Sequence, residues 1–528
     1  MPVKSLARPL LAALLTSIAI LPASAHAQAD AALKQEAAAH IDGQAKKVQE
    51  MVDSIFSFSE PGFQEFKTQE YITDILAKQG FKITKGVAGI PSAWTATWGD
   101  SGPLIALGSD VDGLLGLSQY PGMTGIKPMV EGAPGHGEGH NAGMPLIVAA
   151  AIAAKDVMVK HGIKGRLMIW PGIAEELLAT KAYYVKAGLF NGVDACIFTH
   201  VASGFGTGYG DGGNNGMVSV EYMFKGRTSH AAGAPWAGRS ALDGVELMDI
   251  AWNFRREHLP LSQRSHYVIT NGGGQPNIVP GEATVWYYFR DRSFKAIRDL
   301  YETGNKVSEA AAMATDTTVS HRILGYAAPN FGNKPMAEAA QANIETVGMP
   351  KWTADDQAFT KSVQEGLGFK VQPLADKVNP LVDPSERNSG MGGGSDDIGD
   401  IMWTVPTITI RFPSNIPSMI GHNVTSAIAM ATPIAHKGAI AGAKAVAMTV
   451  LDLVTTPALL AEAKKYQQEV QFKDEKYDPV LTDEDKPAIW LNKDIMDKVR
   501  PEQAKYYYNP AKYKSYLDQL GIAYPPKN

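Results

Sequence analysis

Residues 135–141 read Gly-His-Gly-Glu-Gly-His-Asn and place two histidines and a glutamate between glycines. Glycine lets a backbone turn sharply and come close to a ligand. Glu138 and His140 are two residues apart, so their side chains face the same way on an extended loop. A carboxylate and an imidazole that face one way suit a divalent metal such as zinc or manganese. A polar surface loop would have the same composition, so the rest of the chain decides between the two interpretations.

Potential ligands or acids follow three apolar runs that we predict as consecutive buried strands. The runs and the residues that follow them are 104–107 with Asp110 and Asp112, 166–170 with Glu175 and Glu176, and 195–199 with His200. Open α/β sheets place their sites at the carboxyl ends of the strands. Three such ends in register, together with the 135–141 loop, predict a metal site on the rim of a parallel sheet.

A second pattern begins near Gly216 and alternates strands with helices. It predicts the order βαββαβ over 217–224, 239–255, 267–270, 283–290, 295–314 and 317–324. This order is that of a split βαβ unit with an antiparallel sheet. The predicted fold class is therefore α/β, with a sheet covered by helices on both faces and an inserted α+β (βαββαβ) domain.

The N-terminal segment has the pattern of a secretory signal. Lys4 and Arg8 precede an apolar run over 10–21, and small residues at 23, 25 and 27 offer cleavage sites. The run is short for a membrane span, so we predict a cleaved signal peptide over 1–27, with a retained anchor as the alternative. The expected compartment is a bacterial periplasm or the outside of the cell. The predicted domains are catalytic (28–215 and 328–455), inserted (216–327) and a C-terminal extension (456–528).

Composition excludes several other classes of protein. The 528 residues carry a formal net charge of −5, which gives no case for nucleic-acid binding. The single cysteine, Cys196, excludes an internal disulfide framework and lies in an apolar run, where we expect a buried structural thiol. No segment after the signal is predicted to cross a membrane.

Nine motifs, in the same order and over roughly residues 40–450, resemble the M20 metallopeptidase/amidohydrolase family. The resemblance is strongest to the branch that contains the B subunit of aminobenzoyl-glutamate hydrolase. The motifs are SDVDGL at 109–114, GHGEGHN at 135–141, AEE at 174–176, FTH at 198–200, SHAAGAP at 229–235, GRSALD at 238–243, NGG at 271–273, PNIVP at 276–280 and AHKG at 435–438.

The resemblance implies a role for each matched residue. The implied metal ligands are Glu138, His140, Glu176, His200 and His422. Glu175 matches the general base, and Asp112 matches the aspartate that orients a ligand histidine. Glu138 stands where this branch usually has cysteine, and a carboxylate there can bridge two metals. We therefore expect two divalent ions per subunit, with zinc or manganese as candidates.

The resemblance also implies that the sheet is that of a metal-dependent hydrolase and that the inserted domain is a lid and dimerisation unit, which predicts a homodimer or a higher homo-oligomer. His230 matches a histidine that the partner subunit's lid supplies to the developing oxyanion. Asn277 and Arg290 are candidates to hold a substrate carboxylate, because arginine binds carboxylates in a bidentate pair.

These residues predict a metal-dependent amidohydrolase that acts on small-molecule amides, namely N-acyl or N-aroyl amino acids similar to aminobenzoyl-glutamate. A bound metal lowers the pKa of water and polarises an amide carbonyl, and a glutamate that is not a ligand takes the proton. An M20-type dipeptidase or carboxypeptidase, a catalytically silent binding protein, and an interaction module built on the C-terminal extension are the alternatives. We expect His136 to support the loop, His436 to cap or pack a helix, and Asp396, Asp397 and Asp400 to form a solvated turn or helix N-terminus.

Overall fold

A computed structural model describes residues 29–387 and 394–526. The sequence also predicts a flexible loop over the glycine-rich residues 390–394. Most of that loop lies outside the described residues, as does the predicted signal peptide. The strands are β1 Lys82–Lys85, β2 Trp94–Trp98, β3 Leu104–Asp110, β4 Arg166–Gly172, β5 Ala195–Ala202, β6 Gly206–Thr207, β7 Gly210–Asp211, β8 Gly216–Lys225, β9 Arg264–Asn271, β10 Glu282–Asp291, β11 Thr318–Ala327, β12 Phe331–Gly332 and β13 Thr407–Pro413.

The helices cover most of the segments in which the sequence shows helical spacing. They are α1 Ala31–Gly43, α2 Ala45–Phe58, α3 Phe66–Lys78, α4 Gly143–His161, α5 Lys181–Lys186, α6 Ala241–Arg256, α7 Phe294–Ala314, α8 Lys334–Val347, α9 Ala354–Gly366, α10 Ile398–Met402, α11 Val424–Ala427, α12 Pro433–Thr455, α13 Pro457–Tyr466, α14 Lys493–Gln503 and α15 Tyr516–Leu520.

The main sheet has the order β1-β2-β4-β3-β5-β13-β6. Its four central strands, β4, β3, β5 and β13, are parallel to one another. Most residues of these strands are buried, as expected for parallel strands that are covered on both sides. Their carboxyl ends consequently meet at a single edge of the sheet, which agrees with the α/β class predicted from the sequence.

Helices α4 and α12 pack against each other and against the sheet. Both are rich in alanine, and alanine combines high helix propensity with a small side chain that allows close packing. Among the described residues, α12 is the helix long and apolar enough to cross a membrane, and 83% of its apolar window is buried inside the fold.

The second sheet is antiparallel, with the order β11-β8-β10-β9. Its strands alternate with α6 and α7 in the predicted βαββαβ order. The inward side chains of β10, among them Val285, Tyr287 and Phe289, are fully buried in a hydrophobic cluster separate from that of the main sheet. The strict in–out alternation of β10 therefore reflects one face packed on helices.

The C-terminal extension contacts both the main domain and the inserted domain. Phe472, Tyr477 and Val480 join the hydrophobic cluster of the inserted domain. Further along, Arg500 forms an ion pair with the buried Glu60 of the main domain. The fully buried Tyr516 packs edge-on against Phe56 in α2. The extension thus crosses from one domain to the other.

Two local features of the structure bear on predictions from the sequence. Helical spacing over 510–520 predicts one helix there, and the structure has only the short helix α15 within that segment. The segment with Asp396, Asp397 and Asp400 forms the N-terminus of α10, one of the two predicted alternatives, but its carboxylates are buried and not solvated. A lysine in α5 pairs with Asp397 and a tyrosine in the extension donates to Asp400, and neither partner is adjacent in the sequence.

Candidate active site

The carboxyl edge of the parallel strands carries the predicted site. β5 continues through His200 to Ala202, and its parallel neighbour β13 places Arg411 directly beside His200. The 135–141 loop lies over the same edge and leads directly into α4. At Gly139 the backbone has φ +117°, and an added Cβ would lie 2.8 Å from Met430 Cε. Glycine suits this position because a φ of +117° is a backbone conformation that residues with a Cβ rarely adopt.

A strained turn presents the two glutamates that follow β4. Glu175–Leu177 form a single 3₁₀ turn, and Ala174 and Leu178 on either side have φ values of +51° and +50°. This left-handed region is unfavourable for residues other than glycine and is held only by surrounding contacts. The buried Glu65 supplies one of them, since its Oε1 accepts a hydrogen bond of 2.9 Å from the Ala174 amide.

Four predicted ligands surround Glu138. Its Oε1 lies 3.4 Å from His200 Nε2, whereas its Oε2 lies 3.1 Å from His422 Nε2 and 3.9 Å from His140 Nε2. Glu176 closes the group, with Oε2 3.3 Å from His422 Nε2. All five residues implied by the resemblance are therefore brought together in one cluster.

Glu175 and Asp112 lie next to this cluster. Glu175 Oε2 is 3.9 Å from His140 Nε2. Asp112 Oδ1 is 3.3 Å from His140 Nδ1, and Asp112 Oδ2 accepts a hydrogen bond of 3.0 Å from the Glu176 amide. One carboxylate thus fixes both the ring of His140 and the backbone of Glu176.

The electrostatics of the cluster favour a bound cation. Burial raises the pKa of Glu176 to about 8, and it raises the pKa of Glu175 well above the usual range, with the charge of Asp110 adding to the effect. Burial also opposes ionisation of Glu138, but the hydrogen bond from His422 and the charge of His200 outweigh it and hold the pKa of Glu138 below its usual range. Burial, aided by the positive charge of Arg411, lowers the pKa of His200 to about 4, so its imidazole is neutral and able to bind a metal.

One atom of the cluster shows that its residues fit a metal. His140 Nε2 is buried and has no hydrogen-bond partner in the described part of the chain. A buried polar atom without a partner is costly, and imidazole nitrogen and carboxylate oxygen are the donors that divalent zinc or manganese accepts. Glu138, His140, Glu175 and Glu176 offer ligand atoms within 4.8 Å of one another, as do Glu138, His140 and His200.

The inserted domain contributes one predicted residue to this pocket within the same chain. Arg290 lines the pocket, which has a volume of about 240 Å³, and its Nε is buried without a partner among the described residues. His230 and Asn277 lie on exposed loops and are not among the described residues that line the pocket. His230 Nδ1 instead accepts a hydrogen bond of 3.0 Å from the Gly233 amide.

The remaining candidates have structural partners. His136 is buried, with Nε2 3.1 Å from the Ile55 carbonyl, and His436 pairs with Asp53 at 2.6 Å. Cys196 is a buried free thiol, as predicted.

A buried ionic cluster beneath the pocket was not predicted. The Nζ of Lys181 is fully buried and donates to Asp110 Oδ1 at 2.7 Å and to Asp397 Oδ1. Lys181 also lies over the ring of Phe198, 4.9 Å from its centroid. Asp110, which the sequence offered as a ligand, therefore turns to this lysine. The sequence signal for this ionic cluster is weak, because a lysine that begins a short helix is ordinarily exposed.

A parallel sheet whose rim carries a cluster of metal-binding side chains, with a further glutamate beside it, defines a metal-dependent hydrolase. Comparison with known proteins identifies the kind. Residues 212–315 match the peptidase dimerisation domain of the M20 family. The chain is 31% identical over 455 residues to the B subunit of p-aminobenzoyl-glutamate hydrolase from Escherichia coli (strain K12), a match that covers 81% of this chain and 94% of the relative. The chain belongs to the M20 metallopeptidase/amidohydrolase family, and it is a hydrolase of amide bonds.

A second relative and a solved structure are also similar to this chain. The Xaa-Arg dipeptidase of Mus musculus is 27% identical over 441 residues, covering 82% of this chain and 91% of the relative. The crystal structure of the aminobenzoyl-glutamate utilization protein from Klebsiella pneumoniae shares the fold, with a TM-score of 0.53 and 16% identity over 78% of this chain and 97% of that chain.

Proposed function

We propose that the protein hydrolyses the amide bond of N-acyl or N-aroyl amino acids, with aminobenzoyl-glutamate as the reference substrate. The observation that carries the proposal is the position of Glu175, which lies 3.9 Å from His140 at the cluster and is itself buried. A protein that only binds its ligand has no need of an additional acidic side chain beside a complete set of metal-binding side chains. The name of the E. coli relative supports the choice of amide.

The chain's own residues divide the work. Glu138, His140, Glu176, His200 and His422 would hold the metal. When bound, the metal polarises the scissile carbonyl and makes water more acidic. Glu175 accepts the proton of the attacking water and returns it to the leaving amine. Asp112 orients His140, and Arg290 pairs with the carboxylate next to the scissile amide.

We propose two ions per subunit, zinc or manganese. The two oxygens of Glu138 face different histidines, Oε1 towards His200 and Oε2 towards His422. A carboxylate in that orientation is suited to bridge two cations. Metal analysis of the purified protein, together with calorimetric titration of the metal-free chain, measures both the identity and the number of ions. One ion at saturation would contradict the bridging role of Glu138.

The experiment that tests the reaction is Glu175→Gln. Release of the amine from aminobenzoyl-glutamate is expected to fall by about 100-fold or more, as for loss of a general base, while metal content is unchanged. Glu131→Gln is the matched control, because Glu131 is an exposed glutamate upstream of Glu138 on the same loop. Undiminished turnover in Glu175→Gln would refute the assignment of the base.

A dipeptidase is the second candidate, favoured by the relative that is named Xaa-Arg dipeptidase. The two candidates differ in whether the substrate has a free amine on the acyl side. A panel of dipeptides, N-acyl amino acids and aminobenzoyl-glutamate, followed by mass spectrometry, separates them. Cleavage restricted to free-amine dipeptides would replace the first candidate by the second.

We propose that the protein acts as a homodimer in which His230 and Asn277 complete the partner's pocket. The match to a dimerisation domain supports this, and neither residue is among the described residues that line the pocket of their own chain. Mixing inactive Glu175→Gln with inactive His230→Ala should restore about a quarter of the wild-type activity, because mixed dimers contain one intact site. Subunit exchange is verified separately. If the mixture then shows no recovery of activity, the result contradicts a site shared between subunits.

We also propose that the mature chain acts in a bacterial periplasm or outside the cell. The signal pattern over 1–27 supports this. Fractionation of cells that produce the full-length chain, with N-terminal sequencing of the product, tests it, and an uncleaved cytoplasmic product would overturn it.

A further inference from the structure

Arg411 is a charged residue of the pocket to which neither the family motifs nor the proposed reaction assigns a role. It lines the metal pocket together with His200, and its side chain is exposed. In the part of the chain that the structure describes, no carboxylate lies within ion-pairing distance of its guanidinium. Arginine is permanently charged and presents a fork of donors that matches a carboxylate. An arginine without an acidic partner at the edge of a catalytic pocket is available to a ligand.

A larger cavity begins where Arg411 stands. Its volume is about 630 Å³, and it shares Asn214, Asp396 and Arg411 with the metal pocket. The other arginine in its lining, Arg387, is already used, because its Nη2 donates to the Tyr209 and Val382 carbonyls at 2.9 and 3.3 Å.

Asp396 at the same junction is buried and turned towards its own helix. Its Oδ1 accepts a hydrogen bond of 2.9 Å from the Ile398 amide. Arg411 is therefore the charged group at the junction that is exposed to a ligand.

The ring of His200 leaves the donors of Arg411 free when a metal is bound. His200 Nδ1 lies 2.9 Å from the Val201 carbonyl and 3.2 Å from Arg411 Nη1. A histidine that binds a metal through Nε2 carries its proton on Nδ1 and donates it to an oxygen. The ring nitrogen then cannot accept from Arg411, so the guanidinium keeps its hydrogens for another acceptor.

We propose that Arg411 recognises a second anionic group of the substrate and that the 630 Å³ cavity holds the part of the substrate that carries it. The inference rests on the proposed function and deepens it. Arg290 takes the carboxylate next to the scissile amide, and Arg411 takes a second one, so the preferred substrate is an N-acyl amino acid with two carboxylates. A basic side chain is disfavoured by the same charge.

The test uses a matched pair of substrates, aminobenzoyl-glutamate and aminobenzoyl-glutamine, which differ in one carboxylate. The quantity measured is the ratio of kcat/KM for the two, because a ratio cancels any indirect effect of the variant on His200. Wild type is expected to favour the glutamate compound by roughly 10- to 100-fold, the range for a hydrogen-bonded charge. Arg411→Gln is expected to bring the ratio close to one, and Arg411→Lys to restore part of it.

The control is Arg166→Gln, which removes an arginine at the opposite end of the same sheet. It should leave the ratio at the wild-type value. A ratio that survives in Arg411→Gln, or that falls equally in Arg166→Gln, would overturn the proposal.

A binding measurement separates this inference from the proposed function. Calorimetric titration of the two compounds into metal-loaded Glu175→Gln, with and without Arg411→Gln, reports recognition without turnover. If wild type hydrolyses neither compound, and if Glu175→Gln prefers the glutamate compound but loses that preference with Arg411→Gln, the role of Arg411 is supported and the reaction is refuted. Hydrolysis of both compounds with equal binding would do the reverse.

Discussion

Lys181→Met tests the idea that the floor of the pocket depends on one buried cation. Lys181 is fully buried, and its Nζ donates to both Asp110 and Asp397. Methionine preserves the length of the side chain and has a similar helix propensity. The substitution therefore removes the charge with little other change and leaves two buried carboxylates without their counterion.

Removal of one partner from a buried ion pair costs about 3–5 kcal/mol. For a cooperative unit of about 300 residues, an unfolding entropy of about 2.1 cal/mol/K per residue converts this into a decrease of about 5–8 °C in Tm. The difference in Tm between wild type and Lys181→Met should grow as the pH rises. Burial raises the pKa of Asp110 to about 7 even though the charge of Lys181 opposes the shift. Without the lysine, the Asp110 carboxyl is protonated at low pH, and its ionisation above pH 7 lowers the free energy of unfolding.

Differential scanning calorimetry of wild type and variant at pH 6 and pH 8 measures both effects. Lys186→Met is the matched control, since Lys186 is an exposed lysine in the same helix. Lys181→Met combined with Asp397→Asn should recover part of the loss. A decrease of less than 1 °C, or a larger deficit at pH 6 than at pH 8, would refute the reasoning.

Two further perturbations address the ligand support and the inserted domain. Asp112→Asn is expected to weaken zinc binding by about 10- to 100-fold, because Asp112 orients His140; calorimetric titration of the metal-free chain measures it, and an unchanged Kd would contradict the orienting role. Burial raises the pKa of Asp249, which accepts a hydrogen bond from Tyr287, to about 6. The contribution of the protonated Asp249 to stability is complete below about pH 4 and is lost as the pH rises through about 6. The free energy of unfolding of Asp249→Asn should therefore gain about 1–2 kcal/mol relative to wild type between pH 4 and pH 7, a value reduced for partial solvation. Denaturant titrations at the two pH values check this, and a constant difference between the proteins would show that Asp249 does not titrate in that range.

The ligand cluster was predictable because its members stand next to strong local signals. Glu138 and His140 lie between glycines, and Glu175 and Glu176 follow an apolar strand directly. Strand ends of a parallel sheet meet at one edge whatever the loops do. The geometry of the site thus follows from the order of the strands.

The support of the cluster was not predictable, because it depends on pairs far apart in the chain. Asp397 lies 216 residues from Lys181, and nothing near either residue indicates the other. An acidic run such as 396–400 is normally solvated, so its burial becomes visible only when the lysine beneath it is located. Arg411 was overlooked for a similar reason, since one charged residue in an apolar strand ordinarily faces solvent.

The path of the C-terminal extension has a consequence for how the molecule is divided. Because Tyr477 completes the core of the inserted domain and Arg500 pairs with Glu60 in the main domain, one peptide segment belongs to two folding units. Neither unit expressed alone would contain all of its own interior. A fragment boundary placed at the sequence limits of the inserted domain would leave an apolar seam on that fragment, and a protease cut within the extension would yield pieces that remain associated.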